Sequence, residues 1–298
     1  LCDRRQRQMC IRDSVCSENS VVFKPDTKGN ILYCEDNLDL TQCKITFNGN
    51  HSLVFLFGSK HRYHSNVAIH QDSVLYIGRD NYFNSVVNLV LSERKHIFIG
   101  DNGLFSFGIW IRTADPHLVY SCDTHKRINP SKNILIGDHV WIGQETVILK
   151  GSRICSGSII GAHSTVSGKL IPSNQSWGGS PVKKIAEKVF FDSSCVHNWT
   201  KKQTKAARVY ASDEWDYTDT QVTVPAKGLF KQLDELQTAS ARLDFILSNP
   251  AVLQGKYRFA AKDKSKPQKE TGFKAFLIRI YLSLIHISEP TRQADISY

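Results

Sequence analysis

The 298-residue chain has a single methionine, Met9, and nowhere do 18 apolar residues run together. The second absence excludes an apolar helix long enough to span a bilayer. Eight cysteines occur, but no two form a CxxC pair and none sits at metal-ligand spacing. Isolated thiols of this kind fit a reducing cytoplasm and no metal site, with Cys155 expected as a buried thiol. No glycine-rich nucleotide-binding segment opens the chain, which excludes a fused nucleotidyltransferase domain. Acidic residues are outnumbered 28 to 38 by Lys and Arg, a formal net charge of +10. That excess suits an anionic ligand such as a phosphate-bearing cofactor, or a negatively charged membrane surface. It does not require nucleic acid.

The two ends read differently from the middle. Arg4 to Asp13 and Leu282 to Arg292 resemble translated sequencing-adaptor DNA, and Met9 falls inside the first of these strings. Segments 1–14 and 282–298 are therefore expected to be foreign to the fold. The remaining 15–281 keeps 33 basic and 24 acidic residues, a net of +9.

The middle carries a period of six. Ile136, Ile142, Ile148, Ile154, Ile160 and Val166 recur at strict six-residue spacing, and Val140, Thr146, Ser152, Ser158 and Ser164 follow four residues after the first five. Six is neither the helical period nor the strand alternation. It suits a coil of short straight sides whose aliphatic points inward while the small residue turns the corner. Stacked coils of this kind form a parallel β-helix. Looser units lie upstream in Leu53–Gly58, Val74–Gly78 and His96–Gly100, so one solenoid is expected over roughly 40–180, with larger interior residues toward its N-terminal end. From Ile111 to Ile136 is 25 residues, seven more than an 18-residue coil, and the excess predicts a projecting loop near 120–132. Beyond Phe191 the hexads stop. Leu229, Leu233, Leu236, Leu243, Ile246 and Leu247 keep helical spacing up to Asn249-Pro250, which predicts a helical cap on the open end of the solenoid, then a charged tail over 262–274. The domain expectation is thus a β-helix over 15–190 and a helical cap and tail over 191–281.

Ile134-Leu135-Ile136-Gly137-Asp138-His139-Val140-Trp141-Ile142-Gly143, followed by coils and then Gly178-Gly179-Ser180-Pro181-Val182-Lys183-Lys184-Ile185, resembles the left-handed β-helix acyltransferases over about 40–190. It is most similar to the sugar and capsular-polysaccharide O-acetyltransferase type. That resemblance implies an all-β left-handed parallel β-helix, acetyl-CoA as co-substrate, a homotrimer and a sugar or glycan hydroxyl as acceptor. It matches His117, just before the loop, to the family's base. An imidazole titrates near neutrality and can take the hydroxyl proton as the oxygen attacks the thioester. Asp115 could orient its ring, and a backbone carbonyl could do so equally well. Trp141 is implied beside the active-site groove. Gly178 and Gly179 would let the backbone approach the cofactor, and Lys183 and Lys184 would meet CoA phosphates. In the loop, His125, Arg127 and Asn129 suit contact with the acceptor, while His139 reads as structural. Two other classes remain open. A γ-carbonic-anhydrase-like enzyme would use His117, His125 and His139 on zinc. A non-catalytic β-helix scaffold would use none of them.

Overall fold

The structure is a computed structural model that describes residues 20–35, 38–40, 42–218 and 226–261. The adaptor-like segments and the charged tail over 262–274 lie outside the described residues.

The chain winds into a left-handed parallel β-helix with three sides. The first sheet stacks seven strands in order: Ser20–Phe23, Lys44–Phe47, Ser65–Ile69, Val87–Leu91, Trp110–Arg112, Val147–Leu149 and Thr165–Ser167. The second stacks Ile31–Cys34, Leu53–Leu56, Val74–Ile77, Ile97–Ile99, Ile134–Ile136, Arg153–Ile154 and Leu170–Ile171. The third holds Tyr82–Phe83, Leu104–Phe105, Trp141–Ile142, Ile159–Ile160 and Gln175–Gly178, closed by the antiparallel strand Lys183–Glu187. The first strand starts at Ser20, upstream of the 40–180 stretch over which the repeat is legible in the sequence. On the first side the hexad position continues upstream as Ile111, Leu89, Val67 and Ile45, each 22 residues from the next rather than 18, so the six-residue period is hidden there.

All six hexad aliphatics from Ile136 to Val166 point inward and are buried. Each fully buried Ile contributes about 1.5–3 kcal/mol relative to exposure, which stacking alone supplies. The corner residues Val140, Thr146, Ser152, Ser158 and Ser164 are buried as expected, and Ser152 and Ser158 donate across to the next coil through Val166 O at 3.0 Å and Pro172 O at 2.8 Å. A Cβ on Gly143 would lie 2.5 Å from the Ala162 nitrogen of the coil beneath, so glycine is what lets adjacent turns approach. Cys155 is buried, and burial pushes its thiol up to about 11. Toward the N-terminal end the interior does carry larger side chains: Phe47, Tyr63, Phe83 and Phe105.

The C-terminal helices are not an end cap. Helices α2 (Ala226–Glu235), α3 (Ala239–Leu247) and α4 (Pro250–Leu253) follow the short α1 (Lys201–Ala206) and lie against the outer face of the second sheet. Leu229, Leu233, Ile246 and Val252 pack on Leu53, Phe55, Val74, Tyr76, Phe98 and Leu135. These outward residues form an aromatic ladder, with Tyr33–Phe55, Phe55–Tyr76 and Tyr76–Phe98 centroids 4.4, 5.5 and 4.8 Å apart. Leu247 is exposed, because α3 turns it away from the sheet. Asn249-Pro250 does mark a break, with Ser248 capping α3 and Pro250 opening α4.

Two buried arginines fasten this layer. Arg242 donates to His51 O at 2.7 Å and lies 3.5 Å from Asp72. Arg258 reaches Asp138 at 2.6 Å, Asp101 at 2.7 Å and Val252 O at 2.7 Å. Burial pushes the Asp138 carboxyl up, and the Arg258 charge pulls against it.

Candidate functional site

The insertion before the hexads is longer than expected. Ile111 pairs with Ile148 in the next coil, 37 residues on, whereas Ile148 pairs with Val166 after 18, so the loop adds 19 residues. Ile111 and Ile136 lie on different sides of the coil, which is why the interval between them understates it. The excursion leaves the corner between the first and second sheets after Arg112 and returns at Ile134.

Asn129 holds the loop together. It is buried, its amide donates to His117 O at 2.8 Å and to Asp115 at 3.1 Å, and its oxygen accepts from the Val119 N–H at 2.9 Å. Arg127 makes a two-pronged ion pair with Glu93, which also accepts from Ser131. The Arg127 guanidinium, then the Ser131 hydroxyl, hold the Glu93 carboxyl down at about 2. Arg127 and Asn129 were expected to face an acceptor. Arg127 is engaged with Glu93 of the preceding coil, and Asn129 with His117 and Asp115 inside the loop.

Asp115 is likewise engaged. Lys150 donates to its carboxylate and, at 3.0 Å, to Asn129 O. The Lys150 hydrogen bond lowers the Asp115 pKa below the usual carboxylate range. The carboxylate is thus turned to Lys150 and Asn129, and the contact of Asn129 with the neighbouring backbone is what fixes His117. The His117 side chain is exposed. His125 is exposed near the tip, in the left-handed region at φ 52°, with its N–H donating to Ser121 O at 2.9 Å.

The other candidates lie on the third sheet. Trp141 is half-buried and outward, its ring 5.8 Å from that of Phe191. Gly178 pairs with Lys183 where the chain reverses into the antiparallel strand. A Cβ on Gly178 would meet Ile185 at 2.9 Å, so its missing side chain already serves internal packing. Gly179 adopts φ +98°, a conformation that other residues rarely take, and its N–H donates to Ser164 Oγ at 3.0 Å. Lys183 is exposed, while Lys184 is half-buried and 3.2 Å from Glu187.

In a three-sided coil the corner between the first two sheets lies opposite the third sheet. His117 and the loop therefore stand on the far side of the same chain from Trp141, Gly178, Gly179, Lys183 and Lys184. The structure brings together the members of each group, but not the two groups.

His139 belongs to neither. It is buried, with its ring stacked between Phe191 at 4.0 Å and Trp215 at 3.7 Å, and its Nε2 lies 2.9 Å from Phe191 O. Burial lowers its pKa to about 4. It sits at the corner between the second and third sheets, away from His117 and His125 of the same chain, with its ring enclosed between Phe191 and Trp215. Sequence reading missed the partners on either side of it, Phe191 and Trp215, which come from beyond the hexads. It also missed His163, whose Nδ1 lies 3.1 Å from Glu145 at the corner between the third and first sheets. Their spacing, one coil of 18 apart, was the available signal.

Residues 133–168 match the family described as bacterial transferase hexapeptide (six repeats). Those residues carry the strict hexads of the left-handed β-helix. Among its relatives, a polysialic acid O-acetyltransferase of Neisseria meningitidis is 30% identical over 122 residues, 41% of this chain and 56% of that protein. A galactoside O-acetyltransferase of Lactococcus lactis is 37% identical over 108 residues, 36% of this chain and 50% of that protein. The chain thus spans about half the length of these curated relatives. The solved structure of a polySia-specific acetyltransferase, NeuO, is 22% identical, with a TM-score of 0.48, over 63% of this chain and 90% of that one.

Proposed function

We propose that the protein is an O-acetyltransferase that moves the acetyl group of acetyl-CoA onto a hydroxyl of a sugar or surface glycan. The observation that carries this reading is the loop on the hexapeptide solenoid, where Asn129 holds the His117 backbone and leaves the imidazole exposed. The names of the relatives support the reaction class and a glycan acceptor.

In this reading the His117 imidazole takes the acceptor hydroxyl proton as the oxygen attacks the thioester carbonyl. The C–S bond then breaks, and the thiolate leaves with a proton returned from His117. Asp115 serves as a positioning residue through Lys150 and Asn129. Acetyl-CoA would lie along the third sheet near Trp141 and Gly179, with Lys183 toward a phosphate and Lys184 shared with Glu187. Because the two groups lie on opposite sides of one chain, the complete site needs His117 from one copy and the third sheet of another. A homotrimer supplies that arrangement. The buried thiols Cys43 and Cys155, neither of them in a disulfide, suit a reducing cytoplasm.

Thiol release from acetyl-CoA, measured across a panel of sugars, tests the reading. His117→Ala should lower kcat by at least roughly 10²-fold with acetyl-CoA affinity nearly intact. Lys183→Ala should chiefly raise the KM for acetyl-CoA. Full turnover in His117→Ala would remove the base from the scheme.

A further inference from the structure

Residues 192–214 form an excursion clasped at its neck. Phe191 and Trp215 sandwich His139, and Asn174 ties the same two ends together by donating to Val189 O at 3.2 Å and Trp215 O at 2.9 Å. Asn174 Oδ1 also accepts from Tyr217 N–H at 2.6 Å. The chain therefore leaves the solenoid and returns to it at one fixed point. Between these anchors every residue from Asp192 to Glu214 is exposed except Trp199, which is half-buried.

Helix α1 lies in this excursion and buries none of its residues. Thr200 and Gln203 form a complete capping box at its start. An isolated helix of six residues is far below the roughly 12–15 needed for stability in water, so the cap and the clasp stand in for packing. From Ser193 to Ser212 there is no acidic residue, while Lys201, Lys202, Lys205 and Arg208 supply four positive charges. None of the four is ion-paired to a described residue. The acids Asp192, Asp213 and Glu214 stand only at the neck. Interleaved with the cations are exposed apolar side chains: Val196 at 54%, Tyr210 at 41% and Val209 at 80%.

We infer that this clasped basic loop docks the protein on an anionic phospholipid surface. The cations match lipid phosphates and carboxylates. The aliphatic tips favour lipid over an acidic glycan, because Val196 and Val209 can enter the boundary between headgroups and acyl chains but have little to grip on a carboxylated sugar. The inference stands apart from the acetyl-transfer reading, since none of these residues has a part in that chemistry.

Co-sedimentation of the full chain with vesicles tests it. Binding should appear with phosphatidylserine-containing vesicles, be absent with phosphatidylcholine alone, and weaken as salt rises. Each lysine near such a surface is worth about a factor of five, so Lys201→Gln with Lys205→Gln should weaken binding roughly 25-fold. Val196→Ser with Val209→Ser should weaken it at constant charge. All these variants should keep the wild-type melting temperature and thiol-release rate on a soluble acceptor. No binding to either vesicle, or binding unchanged by the lysine pair, overturns the inference. So does displacement by soluble polygalacturonate that depends on the same lysines, which would assign the loop to an acidic glycan.

Discussion

Replacing Arg258 with methionine should be among the most damaging single changes available in this chain. The guanidinium is 1% exposed at its side chain and contacts Asp138 at 2.6 Å, Asp101 at 2.7 Å and Val252 O at 2.7 Å. Methionine fills similar volume but leaves Asp138, itself 6% exposed, as a buried carboxylate without its counter-charge. Breaking a buried pair from one side costs about 3–5 kcal/mol. At about 2–4 °C per kcal/mol for a domain of this size, the melting midpoint should fall by roughly 6–20 °C. The pH dependence carries a second signature. Burial already pushes the Asp138 carboxyl up, and without Arg258 nothing comparable opposes it. In the variant the folded carboxyl then holds its proton above the pH at which the unfolded one releases it. The deficit should accordingly shrink as pH falls toward about 4, the ordinary range for an aspartate. Thermal melts of wild type, Arg258→Met and Arg258→Met with Asp138→Asn, taken at several pH values, measure both effects. A shift under about 2 °C, or a deficit independent of pH, would refute the view that this ion pair fastens the helices to the solenoid.

His139 offers a test of opposite sense. Its folded pKa of about 4 lies below the ordinary value of 6.5, so the unfolded chain binds more protons between those limits and stability falls as pH drops across them. The full loss is roughly 3 kcal/mol, and urea unfolding of His139→Asn, which tolerates the left-handed backbone, should lack that component of the pH dependence. Asn129→Ala removes the staple between Asp115, His117 and Val119. It should speed proteolysis within 117–128 and slow thiol release, whereas unchanged values for both would show that the loop is held otherwise. Light scattering should give about three times the 33.7 kDa chain mass, and a clean monomer would rule out a site shared between copies.

The hexads from Ile136 to Val166 were legible because one kind of residue repeats at one interval, and neither a helix nor a flat strand produces a period of six. Upstream, the strands at Leu53–Leu56 and Val74–Ile77 are buried on every residue. Their unbroken apolar character was visible, and it signals a strand covered on both faces. What covers them is some 170 residues further on, in helices whose apolar spacing is plain in the sequence but whose position is not. Sequence spacing carries no information about which side of a coil a later helix will meet. The site was legible in a similar, partial way. His117 falls where a projecting loop begins, but the engagement of Asp115, Arg127 and Asn129 inside that loop depends on Lys150 and Glu93, which the fold alone brings near. Arg258 stands close to the charged tail and resembles a surface residue until Asp101 and Asp138 are stacked beneath it.

The helices laid across the second sheet alter how this solenoid can come apart. A bare stack of coils is close to one-dimensional, each turn held only by its neighbours, so it can fray one turn at a time from an exposed end. Here the outward residues of four successive coils, Leu53 and Phe55, Val74 and Tyr76, Phe98, and Leu135, share one helical layer. Arg242 ties that layer to the coil corners at His51 and Asp72, and Arg258 to those at Asp101 and Asp138. Fraying of any one of these coils must lift part of a layer that the other three still hold. The covered stretch is thereby expected to open as a single cooperative block, to which the later coils are joined where Ser156 N–H donates to Phe259 O at 3.3 Å and Ser173 N–H to Ala261 O at 2.9 Å.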